Sequence, residues 1–283
     1  MLTLMQTGQP SRTALSAATH RAAHQVLERG RIFADPLALR ILGPGAYAMV
    51  AGMAAQPERR GMRLFIAART RFAEDALAAA AVRGVRQLVV LGAGLDTFAW
   101  RNPHEAAGLK VFEVDHPATQ AWKRARLASA GLTAPASLTF TPVDFERSTL
   151  ADGLAAAGFA TDQPSFFTWA GVVPYLTREA VLGTLGFIGG LPGGAEVTFD
   201  YSDPPASLPP DQRAAQARRA ERVAATREPW ITYFAADELA GELKGRGFTE
   251  IEDLGPREIA ARYFDGPVSD RTKGGHLMRA RAG

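Results

Sequence analysis

The feature that most constrains the fold is a short apolar run that ends in a glycine-rich turn. Leu88 to Leu91 are branched and apolar, as is typical of a strand buried on both faces of a parallel sheet, and Gly92-Ala93-Gly94 follows directly. Glycines at this place allow a tight turn and let a ligand approach the backbone. A second apolar run, Lys110 to Val114, ends in Asp115. Strand, glycine turn, strand and carboxylate form the layout of a nucleoside-binding α/β fold, in which the carboxylate accepts hydrogen bonds from ribose hydroxyls.

The glycine turn alone is not a specific signal. It departs from the pattern G-x-G-x-x-G because Thr97 stands at the third glycine position, so an ordinary turn that needs glycine is the alternative. This departure also argues against a nicotinamide-dependent oxidoreductase. Asp115, followed by His116-Pro117, favours the nucleoside site, although Asp115 is also a candidate N-cap for a helix that begins at Pro117.

Composition excludes several classes of protein. The chain has 283 residues, 47% hydrophobic and 22% charged, which is typical of a globular protein with one large α/β domain or two small ones. It has no cysteine, so disulfide frameworks, cysteine–zinc sites and thiol nucleophiles are excluded. We find no signal peptide and no apolar run of the roughly 20 residues that a membrane span needs, and we expect a cytoplasmic protein. The arginine cluster 213–227 contains acidic residues, which favours a solvated helix face over a nucleic-acid surface.

Helix and strand signals alternate along the chain. Helices are predicted over 11–30, where Ser11 can cap the first turn and Gly30 can end the last, from Asp35-Pro36 onward, and over 57–82. Strands are predicted over 87–91, 110–114, 137–143, 165–169, 195–201, 247–252 and 275–280. This alternation predicts a doubly wound, mostly parallel sheet, with the last strand antiparallel at or near its edge.

The domain organisation follows from this pattern. We expect a single α/β domain with a seven-stranded Rossmann-like sheet, an N-terminal helical cap and an insertion after strand five. The cap is placed at 1–82, the sheet core at 83–201 and 237–283, and the insertion at 202–236. The insertion includes a charged helix predicted over 211–228, and it is long enough to suggest a lid. Asp237 is predicted to cap the next helix.

Several blocks of the sequence resemble the leucine carboxyl methyltransferase family. They are Asp35-Pro36, the stretch 91–97 with Trp100-Arg101, the stretch 112–117 with Lys123, and the stretches 142–145 and 167–177, with order and spacing that hold from about residue 10 to residue 202. The pattern is similar to the bacterial branch of the family. The resemblance implies a methyltransferase fold with S-adenosyl-L-methionine as cofactor and S-adenosyl-L-homocysteine as product.

The resemblance also implies a set of cofactor-binding residues. Glycines 92 and 94 would face the cofactor, Asp115 would hold its ribose, and Asp144 and Phe145 would hold and cover its adenine. Arg69 would bind the methionine carboxylate, with Arg21 near a second basic contact. Many members have Glu where this chain has Ala170, so a contact to the methionine end is either missing or supplied from elsewhere. The full predicted set is Arg69, Gly92, Ala93, Gly94, Asp115, His116, Asp144, Phe145, Trp169 and Ala170.

The expected function is an S-adenosylmethionine-dependent O-methyltransferase. The resemblance implies that its acceptor is a carboxylate of a small-molecule natural product or a peptide C-terminus. Such a group is already ionised at neutral pH and needs no base. We expect catalysis by positioning, with Tyr175, Tyr201 and Arg21 as candidate residues. We expect no metal, no nucleic-acid or membrane partner, and a monomer or homodimer.

Two other functions stay open at this point. A hydroxyl acceptor would require a base, and His24, His116 or Tyr201 would be the candidates. A protein that binds the cofactor but is catalytically weak is the other alternative, since Ala170 departs from the family pattern.

Some of these residues also have ordinary structural interpretations. Arg69 can pair at the surface with Glu74 or Asp75, and His24 can be an exposed helix residue. Trp169 and Tyr175 can be core residues, and we expect this of at least one of them.

Overall fold

A seven-stranded sheet organises the protein. The computed structural model describes residues 11–145, 147–210, 212–214, 216–217, 221, 229–266 and 273–283. Its strands are β1 (Gln87–Leu91), β2 (Lys110–Asp115), β3 (Leu138–Pro142), β4 (Ser165–Trp169), β5 (Ala195–Ser202), β6 (Phe248–Leu254) and β7 (Gly275–Ala282). Their order in the sheet is β3-β2-β1-β4-β5-β7-β6. The predicted α/β class and all seven predicted strands are confirmed, with strand limits that shift by a few residues.

The direction of the strands places the ligand edge. Strands β1 to β5 are parallel, whereas β7 runs antiparallel to both β5 and β6. The last strand is therefore antiparallel and near the edge, as predicted, but β6 is the edge strand itself. The chain order reverses between β1 and β4. In sheets of this kind, a crevice opens at that point beyond the carboxyl ends of the strands.

Helices flank the sheet and form the cap. They are α1 (Arg12–Leu27), α2 (Ala38–Leu42), α3 (Ala46–Ala54), α4 (Arg60–Val82), α5 (Pro117–Ser129), α6 (Leu150–Ala156), α7 (Arg178–Gly189), α8 (Ala236–Lys244) and α9 (Pro256–Tyr263). Ser11 caps α1 as predicted, accepting a hydrogen bond of 3.1 Å from the amide of Ala14. Helix α8 begins after Ala235, so Asp237 lies in its first turn and does not cap it. The helix predicted over 211–228 falls largely outside the described residues.

The apolar run in β1 is explained by burial on both faces of the sheet. Leu88 and Val90 pack in one cluster with Leu77 of α4. Val89 and Leu91 point to the opposite side, in a cluster that includes Leu185 of α7. Successive side chains of a strand point to opposite faces, so a strand covered on both sides must be apolar throughout.

The N-terminal cap packs through small side chains. Ala18, Ala22 and Ala23 of α1 are buried in a cluster with Ile41 of α2 and Val50 of α3. Alanine lets helices approach closely, and this cluster continues to residues beside the sheet, including Leu95 and Leu127. The cap is thus packed onto the rest of the molecule.

A buried ion pair fixes α5 against β2. Lys123 Nζ lies 2.6 Å from Glu113 Oε2, and both side chains are 1% exposed. Burial raises the pKa of Glu113 to about 7, although the charge and hydrogen bond of Lys123 oppose this rise. A buried pair of this kind is costly to break, since removing one partner leaves an uncompensated charge.

We predict that Lys123→Met lowers the free energy of unfolding by about 3–5 kcal/mol at pH 8, because Glu113 is left buried without its partner. Glu113 protonates more readily in the folded than in the unfolded state, so the loss should be smaller near pH 5 and grow as pH rises through the folded pKa. Urea unfolding at both pH values measures this.

The double variant Glu113→Leu/Lys123→Met should recover most of the lost stability. Lys110→Met makes the same substitution at an exposed position of β2 and should change stability by less than about 0.5 kcal/mol. An equal loss at positions 123 and 110 would contradict the importance of the buried pair.

Candidate active site

A large cavity opens at the carboxyl ends of the parallel strands. Its volume is about 1320 Å³. Ligand pockets commonly measure roughly 300–1,000 Å³, so this cavity has room for a cofactor and an acceptor together. Every residue of the predicted cofactor set lines it, as do the three catalytic candidates Tyr175, Tyr201 and Arg21. The cavity therefore brings these residues together.

The glycine turn after β1 has a conformation and a packing that require glycine. Gly92 and Gly94 have φ angles of +65° and +48°, in the left-handed region. A Cβ atom on Gly92 would lie 2.5 Å from Cγ2 of Val172, and one on Gly94 would lie 2.9 Å from Cβ of Ala14. The turn is also held to β2, because the amides of Gly92 and Ala93 both donate to the carbonyl of Val114.

Asp115 closes this turn from the neighbouring strand. Its Oδ2 accepts a hydrogen bond of 2.6 Å from the amide of Gly94, and its Oδ1 accepts one of 2.7 Å from the amide of His116. Burial raises the pKa of Asp115, and the two amide donors oppose this rise. A carboxylate offers about four lone-pair sites, so Asp115 can still accept from two ribose hydroxyls. The N-cap of α5 is His116, whose Nδ1 accepts from Ala118, and Asp115 supports it from one residue earlier.

A buried carboxylate connects the cap to the glycine turn. Asp35 lies 2.7 Å from Nε of Arg21, and its Oδ2 accepts a hydrogen bond of 2.8 Å from the hydroxyl of Thr97. Its Oδ1 accepts from the amide of Leu37, which fixes the entry into α2. Arg21 also donates to the carbonyl of Leu95 at 2.6 Å. The guanidinium of Arg21 is thus held by the protein itself, at the wall of the cavity.

The same network extends to α4. Arg101 donates to the hydroxyl of Thr97 at 3.1 Å and binds both carboxylate oxygens of Glu74, at 2.6 and 3.2 Å. Burial raises the pKa of Glu74, and the hydrogen bond and charge of Arg101 oppose the rise. Glu74 is therefore the partner of Arg101 and not of Arg69, and the other suggested partner of Arg69, Asp75, pairs with Arg71.

Arg69 pairs with a residue that the sequence did not suggest. Its Nη1 lies 3.0 Å from Oδ2 of Asp200, at the end of β5, and Oδ1 of Asp200 accepts a hydrogen bond of 2.5 Å from the amide of Gly171. Nε of Arg69 is buried and has no hydrogen-bond partner in the described part of the chain. An unpartnered buried guanidinium edge fits a ligand carboxylate, which takes two parallel hydrogen bonds from arginine. The methionine end of the expected cofactor supplies such a carboxylate.

The adenine end of the predicted site contains an exposed aromatic side chain. Phe145, just after β3, is 46% exposed and lines the cavity beside Asp144. Such a ring can cover a base. Trp169 is buried, and its ring meets Phe199 edge to face, as the core interpretation predicted for at least one of Trp169 and Tyr175.

The suggested bases have structural partners. His24 is fully buried, not exposed, and does not line the cavity; its Nε2 accepts from the amides of Ile32 and Phe33, and burial lowers its pKa. His116 uses Nδ1 as the cap of α5. Tyr201 donates to Asp253 at 2.5 Å, and burial and that carboxylate raise its pKa.

Two cavity residues were missed by the sequence reasoning. His20 of α1 is buried and lines the cavity, one residue before Arg21. Asp200 was seen only as part of strand five. His20 follows Thr13, Ser16 and Ala17 of the cavity wall at helical spacing, and that pattern could have indicated it. Nothing in the sequence near Asp200 indicates its pairing with Arg69.

The described residues contain no group of three or more His, Cys, Asp or Glu side chains placed to hold a metal ion. Within them, no helix combines the length and apolar content that crossing a bilayer requires.

The sheet arranges the site in a line. Asp144 follows β3, Asp115 ends β2, the glycine turn follows β1, Ala170 follows β4, and Asp200 lies near the end of β5. Neighbouring strands are about 4.8 Å apart, so this edge offers an elongated ligand a row of contacts about 19 Å long. A row of this length can accommodate a nucleoside with a charged tail.

Comparison with known sequences gives the family. The model of the leucine carboxyl methyltransferase family matches residues 14–189. A Bacillus subtilis protein, YktD, is 35% identical over 198 residues, which cover 70% of this chain and 65% of that protein; the chain thus spans just under two thirds of its length. A Mycobacterium avium protein is 30% identical over 279 residues, which cover 89% of this chain and 87% of that protein. Both are described as "putative S-adenosyl-L-methionine-dependent methyltransferase".

Solved structures agree with the fold. A DUF574 family protein from Streptomyces avermitilis superposes with a TM-score of 0.54 at 19% identity, covering 94% of this chain and 97% of that one. A protein from Thermobifida fusca described as a "putative methyltransferase" gives 0.51 at 18% identity, covering 98% and 96%. The chain belongs to the leucine carboxyl methyltransferase family. The relatives named above are described as methyltransferases that use S-adenosylmethionine.

We predict that Asp115→Ala weakens binding of S-adenosylhomocysteine by about 1–3 kcal/mol, because a buried ligand loses charge-assisted hydrogen bonds. The variant should also be less stable without ligand, since the amides of Gly94 and His116 lose their acceptor. Calorimetric titration and thermal unfolding measure the two effects.

Asp162→Ala is the matched control for this substitution, because it removes an exposed carboxylate that does not line the cavity. Its affinity should equal that of the unmodified protein. A folded Asp115→Ala variant with unchanged affinity would show that Asp115 does not hold the ribose.

Proposed function

We propose that this chain transfers the methyl group of S-adenosylmethionine to a carboxylate of a small molecule or of a peptide C-terminus. The observation behind the proposal is that each base suggested by the sequence either lies outside the cavity or already forms a hydrogen bond with the protein. His24 lies away from the cavity, His116 caps a helix, and Tyr201 donates to Asp253. An acceptor that is already ionised requires none of them.

The chemistry of a carboxylate acceptor suits this arrangement. Its pKa is about 4, so it carries a nucleophilic oxygen at neutral pH. The cofactor supplies a methyl group on a sulfonium, and one carbon–oxygen bond forms as the carbon–sulfur bond breaks. The protein has to hold acceptor and cofactor close and collinear, which can account for a large part of the rate.

The enclosure of the cavity supports catalysis by positioning. Helix α1 forms one wall, through Ala14, His20 and Arg21. The connection between β5 and α8 also contributes, since Leu208 and Trp230 line the cavity. Closing off water strengthens the electrostatic interactions within a site. We therefore propose residues 1–82 as a cap and 202–236 as a lid on one domain whose core is 83–201 and 237–283.

Tyr175 is the residue we assign to the acceptor. It lines the cavity after β4, and burial raises the pKa of its hydroxyl, so the group stays protonated and can donate at neutral pH. A neutral donor can orient a carboxylate without taking a proton from it. Arg21 supports the same wall through Asp35, and we assign it a positioning role.

A hydroxyl acceptor is the second candidate, and one observation favours it. His20 of α1 is buried and lines the cavity, so its imidazole is a candidate to accept a proton from a hydroxyl acceptor. The two candidates differ in their dependence on pH.

We predict that the single-turnover rate is independent of pH above about 5–6, once an acceptor carboxylate is ionised. His20→Ala and His116→Ala should each lower that rate less than tenfold, whereas a general base usually contributes about 10²–10⁴-fold. Rapid-quench measurements with radiolabelled cofactor across pH 5–9 test this.

The control is His24→Asn, which changes a histidine outside the cavity. A hundredfold loss in His20→Ala alone, with a titration near pH 6.5 that disappears in the variant, would establish the hydroxyl acceptor and exclude the carboxylate.

The acceptor itself can be found with a panel of carboxylic acids, peptides with free C-termini, and matched alcohols and phenols. The proposal requires that base-labile methyl esters form from the acids. Transfer to the alcohols or phenols alone would contradict it.

A further inference from the structure

The Arg69–Asp200 pair is set apart from the other ion pairs of the described chain. It is the one pair there in which both members line the large cavity. Their side chains are only 13% and 8% exposed, so the two charges are held in a largely dehydrated wall. Buried charges require partners, and a pair that faces a cavity has capacity left for a ligand.

The pair occupies the end of the site opposite to the adenine. Asp144 follows β3 at one side, whereas Asp200 lies on β5, four strands away in the sheet. Asp115 and the glycine turn stand between them, where the ribose is expected. The amino-acid end of the cofactor therefore reaches the carboxyl ends of β4 and β5.

Each oxygen of Asp200 has one described partner and room for another. Oδ1 accepts from the amide of Gly171, and Oδ2 binds Nη1 of Arg69. An ionised carboxylate has about four lone-pair sites, so Asp200 can accept further hydrogen bonds. Nε of Arg69 is buried and has no hydrogen-bond partner among the residues that the structure describes.

The amino-acid end of S-adenosylmethionine is a zwitterion. A lone arginine in a buried wall matches its carboxylate but repels its ammonium group. An arginine beside an aspartate matches both charges, because each ligand charge meets its opposite.

The geometry of β4 explains why a carboxylate on β5 can serve here. Trp169 stands beside Phe199 in the sheet, so Ala170 follows at the level of Asp200. Ala170 has a small side chain, which leaves space beside Asp200 of β5. Gly171 has a φ of +72°, and a Cβ there would lie 2.6 Å from Nη1 of Arg69. Glycine at this position therefore allows the guanidinium of Arg69 to lie against the turn that follows β4.

We propose that Asp200 accepts hydrogen bonds from the ammonium group of the cofactor's methionine part, while Arg69 binds its carboxylate. The inference rests on S-adenosylmethionine as the cofactor and is independent of the methyl acceptor. Asp200 thereby supplies from β5 the anionic contact that Ala170 does not supply from β4.

The test compares three ligands by calorimetric titration: S-adenosylhomocysteine, its analogue that lacks the α-amino group, and 5′-methylthioadenosine, which lacks the amino-acid part. The unmodified protein should bind S-adenosylhomocysteine at least tenfold more tightly than the deaminated analogue. Asp200→Asn should weaken S-adenosylhomocysteine about 10- to 100-fold, the range for hydrogen bonds to charged groups, and the deaminated analogue less than threefold.

Glu58→Gln is the matched control. It removes an exposed carboxylate that also lines the cavity, and the affinities for all three ligands should stay unchanged. Arg69→Gln should weaken S-adenosylhomocysteine and the deaminated analogue alike, because both retain the carboxylate.

Three distinguishable results would contradict the role of Asp200, the ammonium site, or the cofactor on which the inference rests. Equal weakening of S-adenosylhomocysteine and the deaminated analogue in Asp200→Asn would mean that Asp200 only positions Arg69. Equal affinity of the unmodified protein for these two ligands would exclude an ammonium site even if the variant failed to fold. No binding of S-adenosylhomocysteine by the unmodified protein would contradict the cofactor itself.

Discussion

The buried carboxylate of Asp35 is the interaction on which the rest of the site depends. It joins Arg21 of the cap to Thr97 of the loop after β1, and Arg101 extends the connection to Glu74 on α4. Charges buried this deeply are stable only when all of them are paired. The paired charges therefore hold the cap against the sheet, and the same contacts fix the wall of the cavity.

The parallel sheet places a row of backbone turns along one edge, at the carboxyl ends of its strands. Each strand ends beside its neighbour, so groups far apart in the chain meet there without any local sequence signal. The glycine turn brings the amide of Gly94 to Asp115, and the turn after β4 brings the amide of Gly171 to Asp200. The two aspartates are held in the same way, each by an amide of the adjoining strand's turn, at the two sides of the central crevice.

The sequence was informative where chemistry is local. An apolar strand followed by glycines, and a carboxylate after the next strand, are short-range patterns, and they placed β1, β2 and Asp115 correctly. The partners of buried charges are long-range features. Arg69 meets Asp200 across 131 positions of the chain, and no periodicity encodes such a contact. His24 was misjudged for a related reason, because its burial depends on the loop that folds back over α1 to bring the amides of Ile32 and Phe33 to its ring.

The position of β7 between β5 and β6 has a consequence for folding. Of the seven strands, β7 is the last to leave the ribosome, yet it pairs along the whole length of β5. Until it arrives, β5 is an edge strand whose backbone groups are open to pairing with another chain. Long-range strand pairing is slow, and exposed edges favour aggregation during that time. The strand that carries Asp200 thus needs protection from such pairing while the protein is being made.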